Sequence, residues 1–319
     1  MIMLTGIVKA VCISEKKGTE KHNVGHVHVR PNHGIDGDAH AGSWHRQISL
    51  LSYDKVKAFN ERGAGVGHGA FGENLVVEGI DFKSLPVGSR FAVGSAELEM
   101  TQIGKECHSH CAIYKRMGEC IMPHEGVFAE VVKEGDIWEG DELTVIPPDP
   151  ARPFTAAVIT LSDKGAKGER EDKSGPAAVR ILEKAGYEVE EALILPDEPE
   201  ILKTQLKRLA DGRQIDLVVT SGGTGFSMRD RTPEATMAVA DRNAPGIAEY
   251  IRYRSMEVTN RAVLSRGVSV IRRRTLIVNL PGSPKAVEES LDFILEPLAH
   301  GLGILRGSVS ECGRGQEKK

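Results

Sequence analysis

Three short segments of the chain combine glycine with small polar residues in a way that suits an anionic ligand. Each follows an apolar run typical of a buried strand and precedes a helical pattern. Glycine lets backbone N–H groups approach an anion closely, and the N-terminus of the following helix favours phosphate. We therefore predict a phosphate-binding site made of three loops. Its candidate binding residues are Ser162, Asp163, Ser221, Gly222, Gly223, Thr224, Gly225, Pro281, Gly282 and Ser283.

Two aspartates stand where a metal ion would assist such a ligand. Asp197 and Asp230 fall at predicted strand or loop ends. A carboxylate pair beside phosphates is the usual way in which proteins hold Mg²⁺. The structural alternatives stay open at this point: Asp197 could simply cap the next helix, and a single Gly-Gly-Thr-Gly segment is often only a tight turn.

A second group of reactive side chains surrounds Cys107. The run Lys105-Glu106-Cys107-His108-Ser109-His110-Cys111 is followed by Cys120. One hypothesis is structural zinc, although the Cys-x3-Cys spacing is not that of a zinc knuckle. Another is a reactive thiol, since Lys105 and two histidines would favour the thiolate of Cys107. The third is that small cysteines fill a core, which suits Cys12, Cys111 and Cys120 best.

The composition limits the class of protein. The 319 residues are 40% hydrophobic and 27% charged, which favours a globular protein of two domains. A net charge of −4 argues against nucleic-acid binding. No apolar run is long enough to span a membrane, and the N-terminus shows no signal peptide, so we expect a cytoplasmic protein. Five cysteines, an odd number, argue against a disulfide framework.

A proline-rich segment marks the domain boundary. Residues 147–153 read PPDPARP, which favours a stiff connector. We predict a first domain at 1–147, a linker at 148–153, a second domain at 154–306 and a flexible tail at 307–319. Short apolar runs between glycine-rich turns predict a mostly-β, barrel-like first domain, with helices near 52–62 and 124–133.

The second domain alternates strand and helix patterns. Runs such as TAAVITLS, IDLVVTSGG and TLIVNLPGS predict buried strands. Ser174 is predicted to cap the first helix and Gly186 to end it, and Pro233 lies near the start of another helix. This alternation predicts an α/β domain with a mainly parallel sheet covered by helices on both faces. Ligands of such sheets bind at the carboxyl ends of the strands.

The second domain resembles a known family. The segments SDKGAKGEREDKSGP, ALILPDE, TSGGTGFSMRDRTPEAT and NLPGSPKAVEESL occur in the order found in the MogA/MoaB family of molybdenum-cofactor biosynthesis. The resemblance covers residues 154–305.

This resemblance implies an activity and its residues. Active members adenylylate the terminal phosphate of molybdopterin with Mg-ATP and release pyrophosphate. The family's essential aspartates match Asp197 and Asp230, which would hold Mg²⁺. The Gly222–Gly225 segment matches the ligand cradle, and Ser283 lies in the loop on the pterin side. From the chemistry of the residues, and not from the family, we infer that Arg229, Arg231 or Lys164 would take phosphate charge. Family members are usually trimers or hexamers, and their product goes to a molybdate-insertion enzyme.

The first domain resembles a MOSC domain, related to the C-terminal domain of molybdenum-cofactor sulfurases. The resemblance covers residues 4–146 and rests on GIDGDAHAG, FGENL, GKECHSHC and VFAEVVKEGDIWEGDEL. It implies that Cys107 handles sulfur or binds the cofactor, with molybdenum itself as a further candidate ligand. His40 and Arg46 lie in a matching segment.

Both domains therefore predict a protein of molybdenum-cofactor biosynthesis that adenylylates molybdopterin. Two other hypotheses stay open. The chain could be a non-catalytic carrier of molybdopterin. It could also be a MOSC-type reductase of small molecules, with the second domain as an oligomerisation scaffold.

Overall fold

The N-terminal half of the chain forms a barrel. In a computed structural model that describes residues 3–107 and 111–307, the chain divides into a first unit, Met1–Asp149, and a second unit, Pro150–Lys319. The strands of the first unit are β1 Thr5–Ile13, β2 His22–Asn23, β3 His26–Arg30, β4 Gly34–Ile35, β5 Ile48–Ser52, β6 Leu75–Glu78, β7 Arg90–Val93, β8 Ala96–Ile103, β9 Val127–Lys133, β10 Gly135–Trp138 and β11 Glu142–Ile146. Its helices are α1 Tyr53–Glu61, α2 Ala112–Met117 and α3 Met122–Glu125.

Seven of these strands close on themselves in the order β11-β7-β8-β9-β5-β6-β1, because β1 also pairs with β11. Neighbouring strands are antiparallel except β5 and β6, which run parallel. Buried apolar side chains fill the interior, and the rings of Phe82 and Phe91 meet edge-on at 5.4 Å between centroids. The predicted barrel-like fold is thus confirmed. β3, β4 and β10 form a separate small sheet.

The helix predicted near residues 124–133 is wrong. Only Met122–Glu125 is helical there, and Val127–Lys133 is strand β9. β9 pairs with β5 on one side and β8 on the other, which buries its β-branched valines Val127 and Val131 in the barrel. The short helix α2 was missed altogether, whereas the helix predicted near 52–62 is confirmed as α1.

The second unit is an α/β fold. Its strands are β12 Thr155–Leu161, β13 Glu188–Leu195, β14 Leu217–Ser221, β15 Arg242–Asn243, β16 Ser269–Arg272 and β17 Thr275–Leu280. Its helices are α4 Asp163–Ala166, α5 Ser174–Lys184, α6 Pro199–Lys207, α7 Thr232–Ala238, α8 Pro245–Met256 and α9 Pro284–Arg306.

The sheet of the second unit is mixed. Its order is β13-β12-β14-β17-β16-β15; the first four strands are parallel, β16 is antiparallel to β17, and β15 is antiparallel to β16. Successive strand residues point to opposite faces, so Ala156 and Val158 pack with α5, α8 and α9, whereas Ala157 and Ile159 pack with α6 and α7. Helices therefore cover both faces, and the carboxyl ends of β12, β14 and β17 meet at one edge.

The cap of α5 differs from the sequence prediction. The Asp172 carboxylate accepts hydrogen bonds from the backbone N–H groups of Ser174 (2.9 Å) and Gly175 (3.1 Å). The Ser174 hydroxyl instead donates to the Gly282 carbonyl oxygen at 2.8 Å. The prediction of Ser174 as the cap is wrong because the Asp172 carboxylate, two residues earlier, accepts from the first N–H groups of the helix, including that of Ser174 itself. Gly186, with φ +87°, follows the helix end as predicted.

We expect Asp172→Ala to lower the free energy of unfolding by about 1 kcal/mol, because two N–H groups of the first turn lose their acceptor. Urea denaturation measures the loss. The matched control is Lys173→Ala, since Lys173 is exposed and its side chain makes no cap hydrogen bond. An equal loss in both variants would contradict the assignment.

Candidate active site

The three predicted loops lie against one another. We call them the Ser162 loop (162–174), the glycine loop (221–232) and the Pro281 loop (281–283). The Ser221 hydroxyl donates to the Pro281 carbonyl oxygen at 3.0 Å. An added Cβ on Gly282 would lie 3.3 Å from the Cα of Gly222. Together with the Ser174–Gly282 hydrogen bond, these contacts join all three loops at the carboxyl edge of the sheet.

The glycine loop requires its glycines. Gly222 and Gly223 have φ values of +103° and +65°, which side-chain-bearing residues rarely adopt. A Cβ on Gly222 would lie 2.6 Å from the Leu161 carbonyl oxygen, and one on Gly223 would lie 2.2 Å from the Thr232 hydroxyl oxygen. The loop can therefore pack this closely only with bare backbone at these positions.

Both predicted metal-binding aspartates face this loop. An added Cβ on Gly223 would lie 3.6 Å from Asp197 Oδ1, and one on Gly225 would lie 2.8 Å from Asp230 Oδ2. Asp230 Oδ2 also accepts a hydrogen bond from the Ser227 N–H at 3.2 Å. The structure thus brings both aspartates to the glycine loop: Asp197, from the end of β13, lies beside Gly223, and Asp230, from the loop after β14, lies beside Gly225.

Asp163 and Asp197 hold each other by a reciprocal pair of hydrogen bonds. The Asp163 N–H donates to Asp197 Oδ2 at 2.9 Å, and the Asp197 N–H donates to Asp163 Oδ1 at 3.0 Å. Burial raises the pKa of Asp197, and repulsion by Asp163 and Asp230 adds to the rise. The Asp197 N–H and the Arg229 guanidinium lower the pKa of Asp163. The fold therefore disfavours the ionised form of Asp197 and favours the ionised form of Asp163.

The hydroxyl groups that the sequence selected have mostly local roles. Ser162 Oγ accepts a hydrogen bond from the Gly165 N–H at 3.0 Å and caps α4. Ser283 Oγ accepts one from the Ala286 N–H at 3.3 Å and caps α9. Ser221 and Thr224 are buried.

Arg266 is a site residue that the sequence analysis missed. Its Nε donates to the Gly225 carbonyl oxygen at 2.7 Å, and its Nη2 donates to the carbonyl oxygen of Asp230. Its backbone N–H donates to the Thr224 carbonyl oxygen at 2.9 Å. Arg266 thus fixes both ends of the segment that carries Asp230. It lies far along the chain in an unremarkable loop, where no local pattern could have indicated this role.

The first unit contains a cavity of about 710 Å³. Cys107 is exposed and lines it together with Lys105, and Cys111 and Cys120 line the same cavity. Cys12 is fully buried, and burial raises its pKa to about 12, which confirms its core-filling role. That role is wrong for Cys111, which is exposed because it precedes α2 at the cavity wall.

Basic side chains line this cavity. The Arg46 guanidinium lies 4.8 Å from the Trp44 ring centroid and 5.5 Å from that of Phe128. Lys21 lies at the cavity and pairs at 2.5 Å with buried Asp38, which also accepts a hydrogen bond from the His40 N–H. Burial and nearby Lys21 lower the pKa of His40. These contacts hold Arg46 and His40 at the cavity wall, in the segment that the MOSC resemblance selected.

The zinc hypothesis involves residues outside the described part of the chain. His108 and His110 are among them. Within residues 3–107 and 111–307, no group of three or more His, Cys, Asp or Glu side chains is arranged to hold a metal ion. In the same ranges, no helix has the length and apolar character that a membrane span needs.

A loop cluster of this kind at the carboxyl edge of a parallel sheet is typical of α/β proteins that bind phosphate-bearing ligands. Residues 157–300 match the family described as "Probable molybdopterin binding domain", and residues 37–144 match the MOSC domain family. Both resemblances identified from the sequence are confirmed.

Named relatives match the second unit. The molybdopterin adenylyltransferase of Escherichia coli K12 is 42% identical over 161 residues, covering 49% of this chain and 81% of that protein. The Haemophilus influenzae molybdopterin adenylyltransferase is 44% identical over 140 residues, covering 43% and 71%. A solved structure of the molybdopterin biosynthesis enzyme MoaB from Thermus thermophilus is 46% identical, covers 48% of this chain and 97% of that one, and has a TM-score of 0.47. Through its second unit, the chain belongs to the molybdopterin-binding family that includes the molybdopterin adenylyltransferases.

We expect Asp163→Asn and Asp197→Asn to change stability in opposite directions at neutral pH. The lowered pKa of Asp163 means that its ionised form stabilises the fold above the unfolded-state pKa of about 4, an effect lost as pH falls through the folded pKa. The raised pKa of Asp197 means that its contribution is present below about pH 4 and lost as pH rises through the folded pKa. Asp163→Asn should therefore destabilise the protein, and Asp197→Asn should stabilise it.

Chemical denaturation at pH 7 and at pH 3 measures both effects. The difference between each variant and the wild type should shrink at the lower pH, where the wild-type carboxyl groups approach full protonation. Destabilisation by both variants at pH 7 would contradict the assigned charges.

Proposed function

We propose that the second unit transfers AMP from ATP to the terminal phosphate of molybdopterin. The observation that carries this proposal is that Asp197 and Asp230 lie beside the bare backbone of Gly223 and Gly225 in the glycine loop at one sheet edge. The family relationship supports the choice of substrates, since relatives 42% and 44% identical bear the name molybdopterin adenylyltransferase. A role in molybdenum-cofactor biosynthesis follows from the same relationship.

The donor set fits a divalent cation that arrives with a nucleotide. Mg²⁺ usually keeps several water ligands and takes one or two protein carboxylates plus phosphate oxygens. Asp197 and Asp230 would supply the two carboxylates. Their mutual repulsion, which contributes to the raised pKa of Asp197, is the kind of electrostatic strain that a bound cation relieves. When bound, Mg²⁺ would neutralise charge on the triphosphate.

The reaction needs no nucleophile from the protein. An oxygen of the molybdopterin phosphate attacks the α-phosphorus of ATP, and the bond from that phosphorus to the bridging oxygen of the β-phosphate breaks. Pyrophosphate leaves with the bonding electron pair. The protein's task is to hold both substrates in line and to stabilise the charge. Backbone N–H groups of the glycine loop would bind phosphate oxygens, and the Pro281 loop at the start of α9 would lie on the pterin side.

We propose in addition that the cavity of the first unit binds the cofactor, in its molybdopterin or molybdenum-loaded form. Arg46 and Lys105 would attract its phosphate, and Cys107 would bind it or handle its sulfur. The match to the MOSC family supports this placement. Binding of the cofactor in this cavity would complement the second unit, since both units would bind the same pterin.

Further proposals rest on the resemblance. These are a homotrimer or hexamer and delivery of the product to a molybdate-insertion enzyme. The domain limits 1–147 and 154–306, with a linker at 148–153, are proposed from the proline-rich segment. The carrier hypothesis predicts molybdopterin binding without turnover. The reductase hypothesis predicts activity on small molecules without any pyrophosphate.

We expect the full chain to release pyrophosphate from Mg-ATP only when molybdopterin is present. Asp230→Asn should reduce the rate at least 100-fold, because it removes a cation ligand while its side-chain oxygen can still accept the Ser227 hydrogen bond. A coupled pyrophosphate assay measures both. Asp241→Asn is a matched control. Asp241 directly precedes β15, the edge strand farthest from β13, and its carboxylate accepts a hydrogen bond from the Arg273 N–H. Tight molybdopterin binding without pyrophosphate would instead establish the carrier.

We expect Cys107→Ser to weaken molybdopterin binding by the first unit at least tenfold. The fluorescence of Trp44, which lines the cavity, reports binding in the full chain carrying Trp138→Phe. Cys120→Ser, which changes a half-buried thiol of the same cavity, should have a smaller effect. Unchanged affinity and unchanged cofactor maturation in Cys107→Ser would contradict the role of this thiol.

A further inference from the structure

The Arg229 guanidinium pairs with two carboxylates, those of Asp163 and Glu198, at the solvent-exposed edge of the site. Its Nη2 donates to both oxygens of Asp163, at 2.9 and 2.8 Å, and its Nη1 donates to Glu198 Oε1 at 3.0 Å. Asp163 follows β12, Glu198 follows β13, and Arg229 comes from the glycine loop. A single guanidinium group therefore bridges segments from three strand ends.

This bridge is connected to the proposed cation ligands on both sides. Asp163 forms the reciprocal hydrogen bonds with Asp197, and Arg229 is the residue before Asp230. The positive charge of Arg229 is thus paired with the acidic groups of Asp163 and Glu198. It balances part of the negative charge that Asp163, Asp197, Glu198 and Asp230 concentrate at this edge.

The bridge is open to solvent. The side chains of Arg229, Asp163 and Glu198 are 54%, 39% and 49% exposed. Ion pairs in such positions contribute little net free energy, because water solvates the separated charges well. The hydrogen bonds of Arg229 can therefore be exchanged for others at small cost. A planar guanidinium fork suits phosphate oxygens as well as it suits carboxylates.

We propose that Arg229 is an exchangeable counter-ion that couples binding of the divalent cation to binding of ATP. Without nucleotide, Arg229 neutralises Asp163 and Glu198 and so opposes binding of a cation by the adjoining aspartates. When ATP and the cation bind together, the guanidinium leaves the carboxylates and donates to the triphosphate. This inference rests on the proposed function, and it assigns Arg229 a positioning role that depends on which ligands are present.

The exchange predicts opposite effects of one substitution on two ligands. Arg229→Ala should bind Mn²⁺ alone three- to fivefold more tightly than the wild type, because the competing cation is gone. The same variant should bind ATP in the presence of Mn²⁺ at least tenfold more weakly, because the triphosphate loses its partner. Electron paramagnetic resonance of free Mn²⁺ measures the first affinity on the full chain, and calorimetric titration with ATP measures the second.

Lys167→Ala provides the matched control for charge. Lys167 is close enough to lower the pKa of Asp163 through space, but no hydrogen bond joins these two residues. It should change each affinity less than twofold. Arg229→Lys keeps the charge without the bidentate fork, so it should return Mn²⁺ binding to near the wild-type value and restore ATP binding only in part.

Two results would overturn the exchange: Mn²⁺ affinity in Arg229→Ala that equals or falls below that of the wild type, or ATP affinity that does not change. Both measurements need no turnover. A wild-type protein that releases no pyrophosphate would defeat the proposed adenylyl transfer while the two affinities still decide the role of Arg229. Pyrophosphate release with unchanged affinities would defeat the exchange alone.

Discussion

Parallel pairing in register is the constraint on which the site of the second unit depends. Thr160 of β12 lies opposite Ser221 of β14, and Ser221 lies opposite Leu280 of β17. On the other side of β12, Leu161 lies opposite Leu195 of β13. The four strands therefore end in one row, and the loops that follow them emerge as neighbours. A shift of one residue between two strands would separate the Ser221 hydroxyl from the Pro281 carbonyl that it binds.

The same row concentrates negative charge. Asp163, Asp197 and Asp230 follow three different strands, so folding brings together carboxylates that are distant in sequence. The protein offsets part of this repulsion with arginines: Arg229 pairs with Asp163, and Arg266 binds the backbone around Asp230. Burial raises the pKa of Asp197, and the remaining repulsion from Asp163 and Asp230 adds to the rise. Groups whose environment opposes their ionised form are often functional, because a ligand of opposite charge supplies what the fold lacks.

Local patterns were sufficient to predict much of this arrangement. Apolar runs followed by glycine identified the strand ends, and the order of the motifs identified the three loops and both aspartates. The failures have physical reasons. Val127–Lys133 is short and mostly apolar, so its periodicity does not distinguish a helix from a strand. Its pairing with β5 and β8 makes it a strand. Helix α8 was not predicted, because it buries only Ala248 and Ile251 and its sequence therefore has only a weak apolar periodicity. Arg266 acts on backbone atoms across a tertiary contact, which no linear pattern encodes.

In the proposed function, the two units act on the same pterin cofactor with different folds. The barrel offers a thiol beside basic side chains, and the α/β unit offers carboxylates beside bare backbone. In the proposed function, the second unit positions the phosphates of ATP and molybdopterin for direct transfer and contributes no nucleophile of its own. The most direct test supplies the full chain with molybdopterin and ATP that is radiolabelled at the α-phosphate, and then locates the label. We expect label on molybdopterin and none on the protein. Label attached to the protein, or found only in free AMP, would contradict it.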